Sequence, residues 1–306
     1  MTLIVSAADA RYFGLLQGLV SSCRDTGPGR DVSLGVLDLG MDGGQRAWLE
    51  SHGVALVRPT WDFDFPERDT TPVSFMAQTA RPFLPRYFPG HETYLWMDAD
   101  TWIQDWGAVE TYAAAARGGR IAITPEVDRC YSVTFDTRRA LGRHATYASV
   151  YGPEAAARCG TNPTLNSGVF ALRGDAPHWE VWAGELGKAL QETRSFYIEQ
   201  LALNYCIYVH ELPRYFLPAR YNWITWYSTP LLRQDTGLFV EPMAPFAPIG
   251  IVHLTGDVKA TQVRVTQADG GEAWRTLEYV PRREAARLTH EAPAEGAEAE
   301  RTPGAG

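Results

Sequence analysis

Several features are scarce in this chain of 306 residues, and each scarcity removes a class of function. Cysteine occurs four times, as Cys23, Cys130, Cys159 and Cys206, with no C-x-x-C pair and no short regular spacing. Neither a zinc site nor a disulfide framework is indicated, and free thiols are expected. Basic residues are outnumbered, 28 Lys and Arg against 36 Asp and Glu, for a formal net charge of −8. A nucleic-acid partner is therefore not expected, because neutralising phosphates requires clustered cations. No stretch approaches the ~20 consecutive apolar residues of a membrane span. The short apolar run at the start, Met1-Thr2-Leu3-Ile4-Val5-Ser6-Ala7, has no basic segment before it and is too short for a signal peptide. A cytoplasmic location is expected, with peripheral contact to a membrane left open.

What is present fits one large folded domain. Hydrophobic residues make up 45% and charged residues 21% of the chain, within the ordinary range for globular proteins. From about Pro281 the composition changes to Arg, Glu, Ala, Gly and Pro. Such a segment has too little apolar bulk to offset the entropy of ordering. The reading is a domain over residues 1–280 and a disordered tail over 281–306.

Within the domain, strand-like and helix-like patterns alternate. Leu3–Ala7, Val32–Leu39 and Val54–Arg58 read as strands, and Tyr12–Cys23 and Gly44–His52 as helices. Phe75–Phe88 is helical in pattern but must be broken by Pro82 and Pro85. Strands follow at Tyr94–Met97, Val169–Leu172 and Ile249–His253, with helices at Trp179–Gln191 and Ile198–Tyr208. This order predicts an α/β fold: a mostly parallel mixed sheet with helices on both faces, and ligand sites beyond the carboxyl ends of its strands.

Two strand ends carry groups suited to a metal. Tyr94-Leu95-Trp96-Met97 runs into Asp98-Ala99-Asp100. In extended chain, positions two apart point to one side, so both carboxylates can converge on one cation. Hard oxygen ligands suit Mn²⁺ or Mg²⁺. An isolated D-x-D is equally well a polar turn that caps the next element. The second end is Ile251-Val252-His253-Leu254-Thr255-Gly256-Asp257-Val258-Lys259. Here His253 is a candidate third ligand, Gly256 permits close backbone approach, and Lys259 can neutralise a diphosphate. Taken singly, these would be a semi-buried histidine and a solvated lysine.

Other positions suit a sugar or a base. Asn166-Ser167-Gly168 offers amides for sugar hydroxyls, although a turn explains the same letters. Glu199-Gln200 opens a helix, where the helix dipole alone accounts for an acid. Ala7-Ala8-Asp9 leaves room for a flat base, with Asp9 as an acceptor or a helix cap. The aromatics Trp61, Tyr221, Trp223, Trp226 and Tyr227 fall in loop-like stretches where rings can stack on sugars.

In this order the segments resemble the GT-A glycosyltransferases with their Rossmann-like sheet, and most closely glycosyltransferase family eight. That retaining group includes bacterial lipopolysaccharide galactosyltransferases and glycogenin. The match is to the motif series and runs from about Leu3 to Lys259. It implies Ala7, Ala8 and Asp9 at the uracil of a UDP-sugar, and a metal bound by Asp98, Asp100 and His253. It implies Arg81, Ala99, Ser167, Gly256 and Lys259 around the rest of the donor. Asn166, Glu199 and Gln200 fall at the reacting carbon. The implied activity is transfer of a hexose, with Mn²⁺ or Mg²⁺, from UDP-glucose or UDP-galactose to a glycan such as a cell-envelope polysaccharide or to another hydroxyl acceptor. Two positions depart from the family: Arg11 where Asn is frequent, and Leu201 where some members carry a second acid.

Two other readings use the same letters. A nucleotide-sugar-binding protein without turnover would keep all these motifs. A phosphatase of the haloacid-dehalogenase type also opens on Asp-x-Asp after a strand. That class needs Thr or Val two places after the second Asp, where this chain has Trp102.

Overall fold

The computed structural model of the protein describes residues 1–131, 137–259, 262–267 and 270–281. Beyond Pro281, the expected tail lies outside the described residues. The first strands are β1 (Thr2–Ala8), β2 (Ser33–Asp38), β3 (Val54–Val57), β4 (Thr93–Met97), β5 (Thr101–Ile103), β6 (Ile121–Pro125) and β7 (Leu165–Arg173). After them come β8 (Arg214–Phe216), β9 (Trp223–Ile224), β10 (Leu231–Arg233), β11 (Leu238–Val240) and β12 (Ile251–His253). A seven-stranded sheet has the order β3-β2-β1-β4-β7-β6-β8. β7 runs antiparallel to both β4 and β6, and the other four pairings are parallel. The sheet is thus mixed and mostly parallel, as the alternation predicts.

Helices cover both faces because the central strands are apolar on both sides. One face packs Leu16, Leu19 and Cys23 of α1 (Phe13–Asp25) and Val109 and Tyr112 of the helix Trp106–Ala116 against Ile4, Leu95 and Ala171. The other packs Trp182 and Leu186 of the helix His178–Glu192 and Ile198 and Leu201 of the helix Ile198–Tyr208 against Val5, Trp96 and Phe170. The proline-interrupted segment is broken where expected. It runs as short pieces at Val73–Phe75, Met76–Thr79, Arg81–Phe83 and Leu84–Tyr87.

A second, three-stranded sheet, β5-β12-β9, sits at the carboxyl end of β4. Its pairing brings distant sequence together: His253 lies opposite Thr101 across an antiparallel pair, and opposite Ile224 across a parallel one. Trp223 belongs to this sheet and is fully buried, so it is core and not a loop aromatic. Trp61 and Tyr221 likewise pack against the core. The four cysteines are buried free thiols.

Candidate active site

Asp98-Ala99-Asp100 is a turn between β4 and β5. The backbone N–H and the Oγ1 of Thr101 both donate to the Asp98 carbonyl, at 3.0 and 2.7 Å. This turn brings the two carboxylates together, in place of the strand alternation expected from the sequence. Leu254 N–H donates to the Asp100 carbonyl at 2.8 Å, tying β12 to the turn and delivering His253. Ligand atoms of Asp98, Asp100 and His253 lie within 4.8 Å of one another.

Gly168 completes this cradle. Asn166-Ser167-Gly168 is no turn: it forms the start of β7, beside the end of β4 because the two strands are antiparallel. The Gly168 carbonyl accepts from Asp98 N–H at 2.8 Å. A Cβ at Gly168 would stand 2.5 Å from the His253 ring and 2.9 Å from both Asp98 Oδ2 and Asn166 Oδ1. No side chain fits there. Gly256 is constrained twice, by φ +68° and by a Cβ position 2.4 Å from the Trp226 ring.

The polar groups around this cradle form two branches. On one, Arg81 is buried and donates to Asp98 Oδ1 at 2.6 Å, to Glu199 Oε2 at 2.7 Å and to Ser167 Oγ at 2.9 Å. Its guanidinium also lies over the Trp96 ring. Arg81 therefore fixes two carboxylates, and its donors are engaged within the protein. Glu199 is buried with it, and burial pushes its carboxyl up to about 7 against the pull of Arg81.

On the other branch, His253 Nδ1 meets Asn222 Oδ1 at 2.9 Å, and Asn222 Nδ2 donates to Asn166 Oδ1 at 2.9 Å. Asn166 Nδ2 donates to Glu126 Oε1 at 2.9 Å, and Gln200 Nε2 reaches the same oxygen at 3.4 Å. Tyr227 O–H closes the branch on Glu126 Oε2 at 2.8 Å. Gln200 Oε1 in turn accepts from Ser167 N–H at 3.0 Å.

The residues fit a divalent cation. Asp100 Oδ1 is buried without a hydrogen-bond partner, 3.4 Å from His253 Nε2. Burial opposes ionisation of Asp100, but His253 and Lys259 outweigh it and bring its pKa down to about 2. Two carboxylates, one of them with an orphaned oxygen, and an imidazole form a hard and borderline donor set of the kind Mn²⁺ or Mg²⁺ takes. Lys259 Nζ is 2.6 Å from Asp100 Oδ2 and 3.5 Å from the Tyr12 hydroxyl.

Two cavities flank this centre. One of about 370 Å³ is lined by Ala7, Ala8, Asp9, Arg81, Asp98, Ala99, Asp100 and Lys259. Asp9 both walls it and closes the turn that leads into α1, accepting from the backbone N–H groups of Arg11 and Tyr12 at 3.0 Å each, while α1 itself has no side-chain cap. The other, of about 390 Å³, contains Glu126, Asn166, Gln200, Trp226, Tyr227 and Gly256 in its wall. Of the residues expected at the site, all but Ser167 and Glu199 belong to the ligand cluster or to the wall of a flanking cavity, and those two are buried and hydrogen-bonded to Arg81.

No protein-family model matches the chain, and no curated protein is significantly similar to it in sequence. Solved structures are similar in fold. The galactosyltransferase LgtC, in complex with donor and acceptor sugar analogues, superposes with a TM-score of 0.56 at 15% identity, over 96% of this chain and 98% of LgtC. An active-site Gln-to-Glu mutant of LgtC gives 0.55 at 15% identity and the same coverage. The apo bifunctional glycosyltransferase WbbM gives 0.51 at 14% identity, over 84% of this chain and 46% of WbbM. The chain has the GT-A glycosyltransferase fold. In this GT-A fold the candidate centre occupies the carboxyl end of the central strands, where open α/β sheets bind ligands. No helix among the described residues is long and apolar enough to cross a membrane.

Sequence reasoning missed Asn222 and Glu126. Asn222, in Tyr221-Asn222-Trp223, belongs to no motif, and its role follows from the β9–β12 pairing alone. Glu126 follows β6, a strand signalled by the apolar run Ile121-Ala122-Ile123 after the Gly118-Gly119 turn.

Proposed function

We propose that the protein is a metal-dependent retaining glycosyltransferase of the family-eight type. It transfers a hexose from UDP-glucose or UDP-galactose to a hydroxyl of a glycan. The observation that carries this reading is the convergence of Asp98, Asp100 and His253 between two cavities.

A bound Mn²⁺, or Mg²⁺, supplies charge neutralisation for the departing diphosphate. Ala7, Ala8 and Asp9 hold the uracil, and Lys259 moves from Asp100 to the phosphates. Asn166 and Gln200 present amides to the sugar from the wall of the second cavity. Glu199 is buried and bound to Arg81 and Ser167, so it acts as support and not as a nucleophile. With Glu126 the one carboxylate among the described residues of that cavity wall, and engaged there, the acceptor hydroxyl attacks on the leaving-group side and passes its proton to a phosphate oxygen. The Gln200 amide, already held in place by the Ser167 N–H and Glu126, then offers its dipole to the developing positive charge.

This route retains anomeric configuration. A proton NMR time course on the first product formed from an α-linked donor tests it: an α-linked product is expected, and a β-linked one would refute the reading.

A further inference from the structure

The second cavity carries a charge that transfer to a neutral sugar does not require. Arg143 lines it, half-buried, and among the described residues no carboxylate lies in ion-pair range of it. The acid of that cavity, Glu126, is turned inward and engaged by Asn166, Gln200 and Tyr227. Arg143 belongs to the helix Thr137–Tyr151, whose sequence has three Arg and one His and no acid. In a chain with net charge −8, Arg143 is a local reversal of sign at a cavity wall, to which the same helix also gives Gly142 and Thr146. A solvated surface explains an exposed arginine, but not a half-buried one in the wall of a cavity beside the candidate metal centre.

The rest of the wall suits a sugar ring. Tyr197 and Trp226 are large exposed aromatics, 46% and 44% accessible, and Thr146 and Ser195 line the same cavity. Exposed aromatic rings paired with hydroxyls present an apolar face and polar tips, which is how carbohydrate surfaces are met. The two cavities share no lining residue, and Arg143 belongs only to the one away from Lys259. Arg143 is thus placed for a ligand other than the donor diphosphate.

We propose that the acceptor is an acidic glycan whose carboxylate or phosphate is bound by Arg143. A guanidinium matches either group in planar, bidentate fashion. This rests on the glycosyltransferase reading for the word acceptor, but the charge preference of the cavity does not need turnover.

Matched probes test it: methyl glucoside, methyl glucuronide and glucose 6-phosphate, with the galacto counterparts, titrated by saturation-transfer NMR with and without UDP and Mn²⁺. A charged member should bind about tenfold or more tighter than its neutral partner, as a charge-assisted hydrogen bond implies. The uronide and phosphate arms separate the two sources of charge. Arg143→Gln should abolish the preference, Arg143→Lys should keep part of it, and UDP binding should persist in both. Equal affinity for charged and neutral probes, binding of none of them, or a preference that survives Arg143→Gln would overturn the proposal. Loss of UDP binding in the unaltered protein would instead count against the glycosyltransferase reading, with the charge preference still read from the donor-free titrations.

Discussion

Asn222 Oδ1 faces His253 Nδ1 at 2.9 Å, and its neighbours decide what that contact means. Asn166 Oδ1 accepts from the Gly168 backbone N–H, so it is an oxygen, and Asn222 must present its Nδ2 to it. The remaining atom of Asn222 is then its oxygen, which accepts only from a protonated Nδ1. His253 therefore turns Nε2 toward Asp100, leaving that nitrogen for the proposed metal.

An orienting partner of this kind is worth roughly 10- to 100-fold in metal affinity. Asn222→Ala should weaken Mn²⁺ binding by about that factor, measured by electron paramagnetic resonance titration. Asn222→Asp, which keeps an acceptor, should lose less. Unchanged affinity in Asn222→Ala would show that the contact does not orient the ligand.

Gly168→Ala tests the cradle. Its methyl would overlap the His253 ring and the Asp98 and Asn166 oxygens. Overpacking of this kind costs about 1–3 kcal/mol, visible in urea denaturation, and Mn²⁺ binding should fall with it. Wild-type stability together with wild-type metal affinity would contradict the crowding.

Glu199 predicts a pH dependence. Its carboxyl is raised by burial from 4.5 to about 7 in the folded protein. Between those values the native state binds the extra proton, so stability falls as pH rises. The contribution is fully present below about 4.5 and is lost as pH passes about 7. Glu199→Gln should flatten the decline of melting temperature across that window. A decline of the same slope in the variant would assign it to another group.

The fold was legible because its signals are local. The apolar runs of β1, β2 and β4, the helix α1 and the prolines that break Phe75–Phe88 each act over a few residues. The cluster that could hold a metal was legible because Asp98, Asp100 and His253 directly follow or end apolar strands. The mechanism of their convergence was not legible, since it depends on the turn before β5 and on the register that sets His253 opposite Thr101. Arg81 shows the same limit. The resemblance picks it out as a donor-binding candidate, whereas its bonds to Asp98 and Glu199 join residues 17 and 118 positions away. Such pairings have no sequence period.

The most direct test of the donor site is a thermal-shift titration of the wild-type protein and Asp100→Ala with UDP, in the presence and absence of Mn²⁺. Binding to the native state alone raises the melting temperature with ligand concentration. The account predicts that UDP stabilises the wild type only with Mn²⁺, more than GDP or ADP does, and that Asp100→Ala shows no Mn²⁺-dependent shift. An undiminished shift in Asp100→Ala would contradict it.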